Sequence, residues 1–446
     1  MNPRDLTLRI LNKLTYNPSF SNHILKHQLG VTKLNEKDRA LVVNLVQGVI
    51  RWRLRLDWII EQFLNFPFKK LDPYVLNILR IALYQIFFMD RIPEFAAVNE
   101  AVRQAKRKAQ YIANTVNGIL RNICRNKDKI KYPDKEKEFE KFLSIYYSFP
   151  LWLVKKWKKE LGSNKVELLL KALNKEPFIT LRANRLKITR ERLINLLIQK
   201  GIRPYPTKYS PCGIVIERLH KSIGDMEEYK KGLFFVQDEA SQLCSFILDP
   251  KPKEVLLDMC AGVGTKSIHI AELIENKGKI IALDINPKRL LILAQAIKKA
   301  LMEKTIYPVL ADGKKAHFLF KIPFDRIIID APCSGLGTIA RHPDIKWTKT
   351  ENDITVLAEL QKGLLDAASY VVKDGGYILY ITCTISQEEN ELVVEHFLKE
   401  HSEIRLVNIS DKFSWLKDLV DENGFFRTYP YIHNMDGFFG ALFKRS

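Results

Sequence analysis

The sequence predicts a multi-domain protein with an α-helical N-terminal domain, a small α+β middle module and a C-terminal α/β domain of doubly wound, Rossmann-like form. Three observations carry that expectation. Apolar residues recur at helical spacing through residues 1–127. The pattern changes to short strand-like runs at Ile179. From Gln237 onward such runs alternate with helical segments, as in a parallel sheet covered on both faces. At 446 residues the chain exceeds one hydrophobic core, so several domains of roughly 100–200 residues each are expected.

In the helical part, Leu41-Val42-Val43, Leu45-Val46 and Val49-Ile50 mark one apolar face, and Trp58-Ile59-Ile60 with Phe63-Leu64 the next. Pro73 fits the first turn of a helix from Tyr74 to Phe88, where its missing N–H is not needed. Pro93 precedes another helix, and Asn114 to Cys124 reads as the last. Arg103, Lys106, Arg107 and Lys108 cluster near a helix end; alone, such a cluster reads as a solvated face. Residues 131–145 are charged and without apolar period, as in Lys135-Glu136-Lys137-Glu138. They read as a linker between a domain of residues 1–130 and a module of residues 146–232. In that module Pro150 opens a short amphipathic helix, Ile179 to Asn184 is a strand, Thr189 to Lys200 a helix, and Gly213-Ile214-Val215-Ile216 a strand. Arg182 and Arg185 make the first strand basic. Residues 233–446 form the last domain. Its strands are Val255-Leu256-Leu257, Ile280-Ile281-Ala282-Leu283, Tyr307-Pro308-Val309-Leu310, Ile327-Ile328-Ile329 and Tyr377-Ile378-Leu379-Tyr380, with helices such as Pro287 to Leu301 between most of them. In such sheets ligands bind beyond the carboxyl ends of the strands.

The net charge of +20 is unevenly placed. Residues 1–130 carry 22 Lys+Arg against 10 Asp+Glu, residues 131–250 carry 23 against 15, and residues 251–446 carry 26 against 26. A phosphate backbone is the commonest partner of such an excess; the plain alternative is a lysine-rich soluble surface. Apolar runs are broken well short of the roughly 20 residues a membrane span needs, and the first residues lack the apolar core of a secretory leader. The six cysteines, Cys124, Cys212, Cys244, Cys260, Cys333 and Cys383, show no paired metal-ligand spacing and are too few for a disulfide framework. A cytoplasmic protein with free thiols and no metal is expected.

The chemistry gathers at the strand ends. The loop Asp258-Met259-Cys260-Ala261-Gly262-Val263-Gly264-Thr265-Lys266 follows the first strand, and its glycines let a ligand approach the backbone. It lacks the Gly-Lys-Ser/Thr ending of a phosphate loop. Asp284 ends the second strand, where a carboxylate accepts from ribose hydroxyls. Asp312 follows the third, placed to meet an adenine amine, and Asp330 ends the fourth. Any one of these acids could be a helix cap or a turn; together, at successive strand ends, they favour a bound nucleoside. Asp330-Ala331-Pro332-Cys333-Ser334-Gly335 and Tyr380-Ile381-Thr382-Cys383-Thr384 add a thiol at each of two strand ends.

These motifs, with Arg341-His342-Pro343-Asp344-Ile345-Lys346-Trp347, Glu388-Glu389-Asn390, Asp436-Gly437-Phe438-Phe439 and Gln237-Asp238-Glu239-Ala240-Ser241, resemble the bacterial cytosine-5 ribosomal RNA methyltransferases with a NusB-like N-terminal domain. The resemblance covers the whole chain and is sharpest in the last domain. It implies S-adenosylmethionine as donor, held by Cys260, Ala261, Gly262, Val263, Gly264, Thr265, Lys266, Asp284, Asp312 and Asp330. The family's loop usually reads Cys-Ala-Ala-Pro-Gly-Gly-Lys, so Val263 and Thr265 depart from it. The resemblance further implies Cys383 as nucleophile, Cys333 as an aid to product release, and Asp330 at the base edge. Cys260 would line the donor site, and Cys124, Cys212 and Cys244 belong to the core.

The implied reaction is methylation of carbon 5 of a cytosine in RNA, with small-subunit ribosomal RNA as the expected substrate and a monomer as the expected form. The helical domain and the middle module would bind RNA. Transfer RNA is one alternative substrate. An RNA-binding factor with an inactive catalytic domain is another reading, against which Cys383, Cys333 and the acids stand. DNA cytosine-5 methyltransferases use the Pro-Cys motif as nucleophile and lack the Thr-Cys-Thr element.

Overall fold

The computed structural model describes residues 2–16, 21–217, 219 and 222–446. The chain forms two compact units, Met1–Lys175 with Ile339–Thr348, and Glu176–Thr338 with Lys349–Ser446.

The first unit is helical. Its core packs Leu6 and Ile10 of helix Pro3–Tyr16 and Val42, Leu45, Val46 and Val49 of Glu36–Arg51 around Ile78, Leu79 and Leu83 of Pro73–Phe88. Val116, Leu120 and Ile123 of Gln110–Arg125 close it. Pro73 stands in the first helical turn as expected, and Asp72 caps it by accepting from the N–H groups of Tyr74 and Val75. Arg80 donates two bonds of 2.7 Å to Asp57. Arg103 and Arg107 both grip Asp5, and Lys108 pairs with Asp72 at 2.6 Å, so three of the four basic residues of the cluster are internally paired.

Residues 131–145 are not a linker. Phe139–Tyr147 is a helix whose Leu143 and Ile145 are buried. Arg55 donates to Tyr132 at 3.0 Å and lies 4.3 Å from the centre of the Tyr146 ring. The charges that mimic a linker occupy exposed positions, while a few aromatic and apolar side chains anchor the segment. Helices Leu151–Leu161 and Ser163–Leu173 also pack within this unit.

Residues 339–348 complete the same unit. Ser21 donates to Asp344 at 2.7 Å, Asn22 Nδ2 lies 2.9 Å from His342 Nδ1, and Trp347 Nε1 donates to the Ile50 carbonyl at 2.8 Å. Arg51 donates to the Ala340 and Lys175 carbonyls, each at 3.0 Å. Lys346 is 1% exposed. Its ammonium donates to Arg51 O at 3.0 Å, Ser148 O at 3.1 Å and Asn174 Oδ1 at 2.7 Å, and it sits 3.6 Å from the centre of the Phe149 ring. Burial drives its pKa well down, but three acceptors match the three protons of the charged form.

The second unit holds two sheets. The smaller has β1 (Ile179–Ala183), β2 (Pro204–Pro206), β3 (Gly213–Ile216) and β4 (Phe234–Val236) in the order β2-β3-β1-β4, antiparallel throughout. Leu193 and Leu197 of helix Arg190–Gln199 pack on Leu181, Ile214 and Phe234. Arg182 is no surface cation here: its side chain is fully buried and paired with Glu272 at 2.9 Å.

The larger sheet contains β5 (Val255–Asp258), β6 (Lys279–Asp284), β7 (Ile306–Leu310), β8 (Phe324–Asp330), β9 (Val372–Thr382), β10 (Ile404–Val407), β11 (Phe426–Arg427) and β12 (Phe439–Arg445). The order is β10-β12-β9-β8-β5-β6-β7, with β11 beside β12. The five strands read from sequence are parallel, as expected. The sheet as a whole is mixed, because β12 pairs antiparallel with both β9 and β10. Phe439, Ala441 and Phe443 face one apolar layer and Leu442 the other, so β12 is buried on both sides and carries no alternation. Helices Glu239–Leu248, Thr265–Leu273 and Pro287–Ala300 cover one face; Glu351–Val371 and Glu391–Glu400 cover the other. Strand order reverses between β5 and β8, which opens a crevice at their carboxyl ends.

Candidate active site

The chain leaves β5 into a loop pinned on two sides. Met259 N–H donates to Ile328 O at 3.0 Å and Ala261 N–H to Leu283 O at 2.7 Å. Gly262 takes φ +58°, a region costly for any other residue, and a Cβ there would meet nothing within 4 Å. Gly264 takes φ +87°, and a Cβ would strike Leu293 at 2.0 Å. One glycine therefore leaves the loop open to a ligand and the other permits close packing behind it.

Four carboxylates surround this turn. Asp284, 5% exposed, accepts from Gly262 N–H at 2.9 Å and from Asn286 N–H at 2.7 Å. Asp330 pairs with Lys266 at 2.6 Å. Burial works against the Lys266 ammonium, but Asp330 and the neighbouring thiols outweigh it and raise its pKa. Asp258 is buried and accepts from Ser267 Oγ at 2.5 Å; burial pushes its carboxyl up to about 7. Asp312 caps the short turn that follows it, accepting from Lys314 N–H at 3.0 Å. Burial, then Asp258, Asp330, Asp284 and Asp312, pushes the Cys260 thiol well up, so all four acids lie within electrostatic reach of one sulfur. Ile285 is 71% exposed directly after Asp284, an apolar surface at the rim of the crevice.

The two motif cysteines meet. Cys333 follows β8, Cys383 follows β9, and their sulfurs lie 3.3 Å apart. Cys383 N–H also donates to Cys333 Sγ at 3.4 Å. The bond to Cys383, then burial, raises the Cys333 pKa well above that of an ordinary thiol.

A buried polar frame holds both loops. Ser334 N–H donates to Glu389 Oε1 at 2.7 Å and its hydroxyl to the other oxygen, while Gln361 donates to Pro332 O at 2.9 Å and to Glu389 at 3.2 Å. Burial raises the Glu389 pKa against these donors. Asn390 accepts from Thr382 Oγ1 at 2.6 Å and donates to Thr384 O at 3.1 Å. Gly337 N–H donates to Cys383 O at 3.0 Å, and Gly437 N–H to Gly337 O at 2.9 Å. A Cβ on Gly337 would overlap the Gly437 carbonyl at 1.9 Å, so this crossing requires glycine.

Every residue singled out in the loop and at the strand ends thus lies at the carboxyl edge of neighbouring strands. Arg341 to Trp347 does not; that motif docks in the helical unit. The sequence assigns no role to Asp258, which opens the glycine loop, nor to Ser267, Ile285 or Gln361. Asp258 is visible in the sequence as an acid at a strand end but its burial is not, and Gln361 sits mid-helix and carries no signal. Cys212 and Cys244 are buried as expected; Cys124 is half-buried at the edge of the core. Among the described residues no helix is long and apolar enough to cross a membrane, and no group of three or more metal-ligating side chains converges.

Three family models match in succession: the NusB family over residues 1–125, a ferredoxin-like domain of RsmF/B-like methyltransferases over residues 149–221, and 16S rRNA methyltransferase RsmB/F over residues 245–444. "Probable ribosomal RNA small subunit methyltransferase B" of Bacillus subtilis is 35% identical over 439 residues, covering 98% of this chain and 97% of its own. "Ribosomal RNA small subunit methyltransferase B" of Pectobacterium atrosepticum is 32% identical, covering 99% and 98%. Among solved structures, PH0851 superposes with a TM-score of 0.81 at 28% identity over 100% of this chain and 99% of its own. NSun6 from Pyrococcus horikoshii with SFG gives 0.60 at 25% identity, over 67% and 99%.

Proposed function

The chain belongs to the 16S rRNA methyltransferase RsmB/F family, and from that premise we propose that it methylates carbon 5 of a cytosine in small-subunit ribosomal RNA through a covalent adduct at Cys383. It is a methyltransferase that uses S-adenosylmethionine. The approach of two sulfurs to 3.3 Å, from segments fifty residues apart in sequence, carries the finer reading.

Carbon 5 of cytosine is a weak nucleophile. A thiolate that adds to carbon 6 converts the ring to an enamine, and one difficult step becomes several easier ones. Cys383 Sγ forms that bond. The cofactor supplies an electrophilic, sulfonium-bound methyl group. Cys333 stays a thiol because its pKa is raised, so it can donate a hydrogen bond to the neighbouring sulfur before addition and again as that sulfur departs. Departure follows loss of the carbon-5 proton to a base: the electron pair of the carbon–hydrogen bond forms the ring double bond, and that of the carbon–sulfur bond returns to Cys383. Asp330, fixed by Lys266, stands beside both loops and would accept from the exocyclic amine of cytosine. A base within folded RNA must be unstacked to reach this site.

The residues fit the donor. Gly262 leaves the loop uncovered, Asp284 offers acceptor capacity for ribose hydroxyls, Asp312 could accept from the adenine amine, and Ile285 offers an apolar face. Neither the Val263 nor the Thr265 side chain takes part in the backbone hydrogen bonds that pin the turn.

Denaturing gels of protein with labelled RNA and cofactor test the adduct. Cys333→Ala should accumulate a covalent protein–RNA band, whereas Cys383→Ala should form none and transfer no methyl. Transfer at wild-type rate by Cys383→Ala would sink the nucleophile assignment. Bisulfite sequencing of ribosomal RNA from cells with and without the gene tests the base.

A further inference from the structure

Arg182 and Glu272 form an ion pair with both side chains wholly out of solvent. Arg182 Nε has no acceptor among the described residues. Such a pair is a poor source of stability, because both charges are stripped of water. Its placement offers another use. Glu272 ends the helix Thr265–Leu273 that begins at the glycine loop, whereas Arg182 lies on β1 of the smaller sheet. Nη2 bonds Glu272 Oε1 at 2.9 Å, and Nη1 donates to the Thr265 carbonyl at 3.3 Å. Arg185 N–H reaches the second oxygen of Glu272 at 3.5 Å. Thr265 and Glu272 are about two helical turns apart, so one guanidinium grips the helix near both ends. Phe235 backs it at 5.0 Å.

We propose that Arg182 is a positioning residue for the methyl donor, setting the register of helix Thr265–Leu273 and hence of the turn from Gly262 to Lys266. The residues after Thr265 carry the site's other ties: Lys266 to Asp330 and Ser267 to Asp258. A slip of the first helical turn moves all of them together. The middle module is then part of the donor site, beyond any role in gripping RNA. The inference rests on the donor reading of that turn.

Calorimetric titration of the full-length protein with S-adenosylhomocysteine tests it, alongside RNA binding measured by filter retention. Arg182→Lys keeps a charge for Glu272 but has no second arm for Thr265; donor-site affinity should fall roughly ten-fold for loss of a charged hydrogen bond, with RNA affinity unchanged. The double variant Arg182→Met/Glu272→Gln removes both charges without stranding either. It should melt close to wild type and show the same loss. In steady state the KM for S-adenosylmethionine should rise while kcat and the KM for RNA hold. Wild-type affinity in both variants overturns the proposal, as does an equal loss of RNA and donor affinity. Wild-type protein that fails to bind S-adenosylhomocysteine overturns the donor reading, and the positioning role with it.

Discussion

Asp258 is a buried carboxyl whose pKa is pushed up to about 7, chiefly by burial. The folded chain therefore binds this proton more tightly than the unfolded one, whose Asp titrates near 4. Its contribution to stability is complete below that value and is lost as pH rises through about 7. Asp258→Asn keeps the acceptor and abolishes the titration. It should gain on the order of 1–3 kcal/mol over wild type at pH 8 and little at pH 4, read from denaturant melts at both values. An unchanged difference between the two pH values would refute the assignment. Asp284→Ala removes the carboxylate that holds Gly262 and would receive the ribose; cofactor affinity should drop roughly ten- to hundred-fold, and calorimetry showing equal affinity would exclude that role. Cys333, Cys383, Asp284 and Asp330 were legible because each stands in a short motif at a strand end. Asp258 was hidden because nothing in its neighbours says that its carboxyl would be dry.

At the level of elements, sequence periodicity located the five parallel strands and most helices, since burial on both faces leaves unbroken apolar runs. It missed β12 and β10, whose pairing depends on distant chain rather than on local pattern. It also mistook residues 131–145 for a linker, because a few aromatic anchors suffice to fold a charged segment. The motif from Arg341 to Trp347 was visible, yet its destination was not; only the fold shows it seated among the helices. Lys346 is the pin of that segment. Lys346→Met removes the ammonium that donates to two carbonyls and an amide oxygen, which should cost about 1–3 kcal/mol. A lowered unfolding midpoint of the full-length protein would bear this out, and an unchanged one would show that shedding a buried charge offsets the lost bonds.

For the whole molecule, charge is the broad organising feature. The last 196 residues are neutral and the first 250 hold the entire excess. In the helical unit, a groove of about 500 Å³ is lined by residues that include Asp5, Arg9, Lys13, Tyr16, Tyr74 and Arg107. Among the described residues Arg9 and Lys13 form no ion pair. Each phosphate contact to single-stranded RNA contributes about 0.7 to the slope of log affinity against log salt. Arg9→Gln/Lys13→Gln should accordingly flatten that slope by roughly 1.4 if both touch phosphate. Filter binding at several salt concentrations measures it, and an unaltered slope would move the phosphate contacts elsewhere.

The segment Ile339–Thr348 also bears on how the chain is made. The helical unit consists of the first 175 residues and a piece synthesised more than 160 residues later. At 5–20 residues per second that interval lasts roughly 8–35 s on the ribosome. Throughout it, the Arg51 and Ser148 carbonyls await an ammonium that has not been translated. A nascent chain arrested before residue 339 should stay open to protease within its helices, and one released past residue 348 should close. The first unit to emerge is thus finished by a part of the last, so a truncated message yields no complete helical unit.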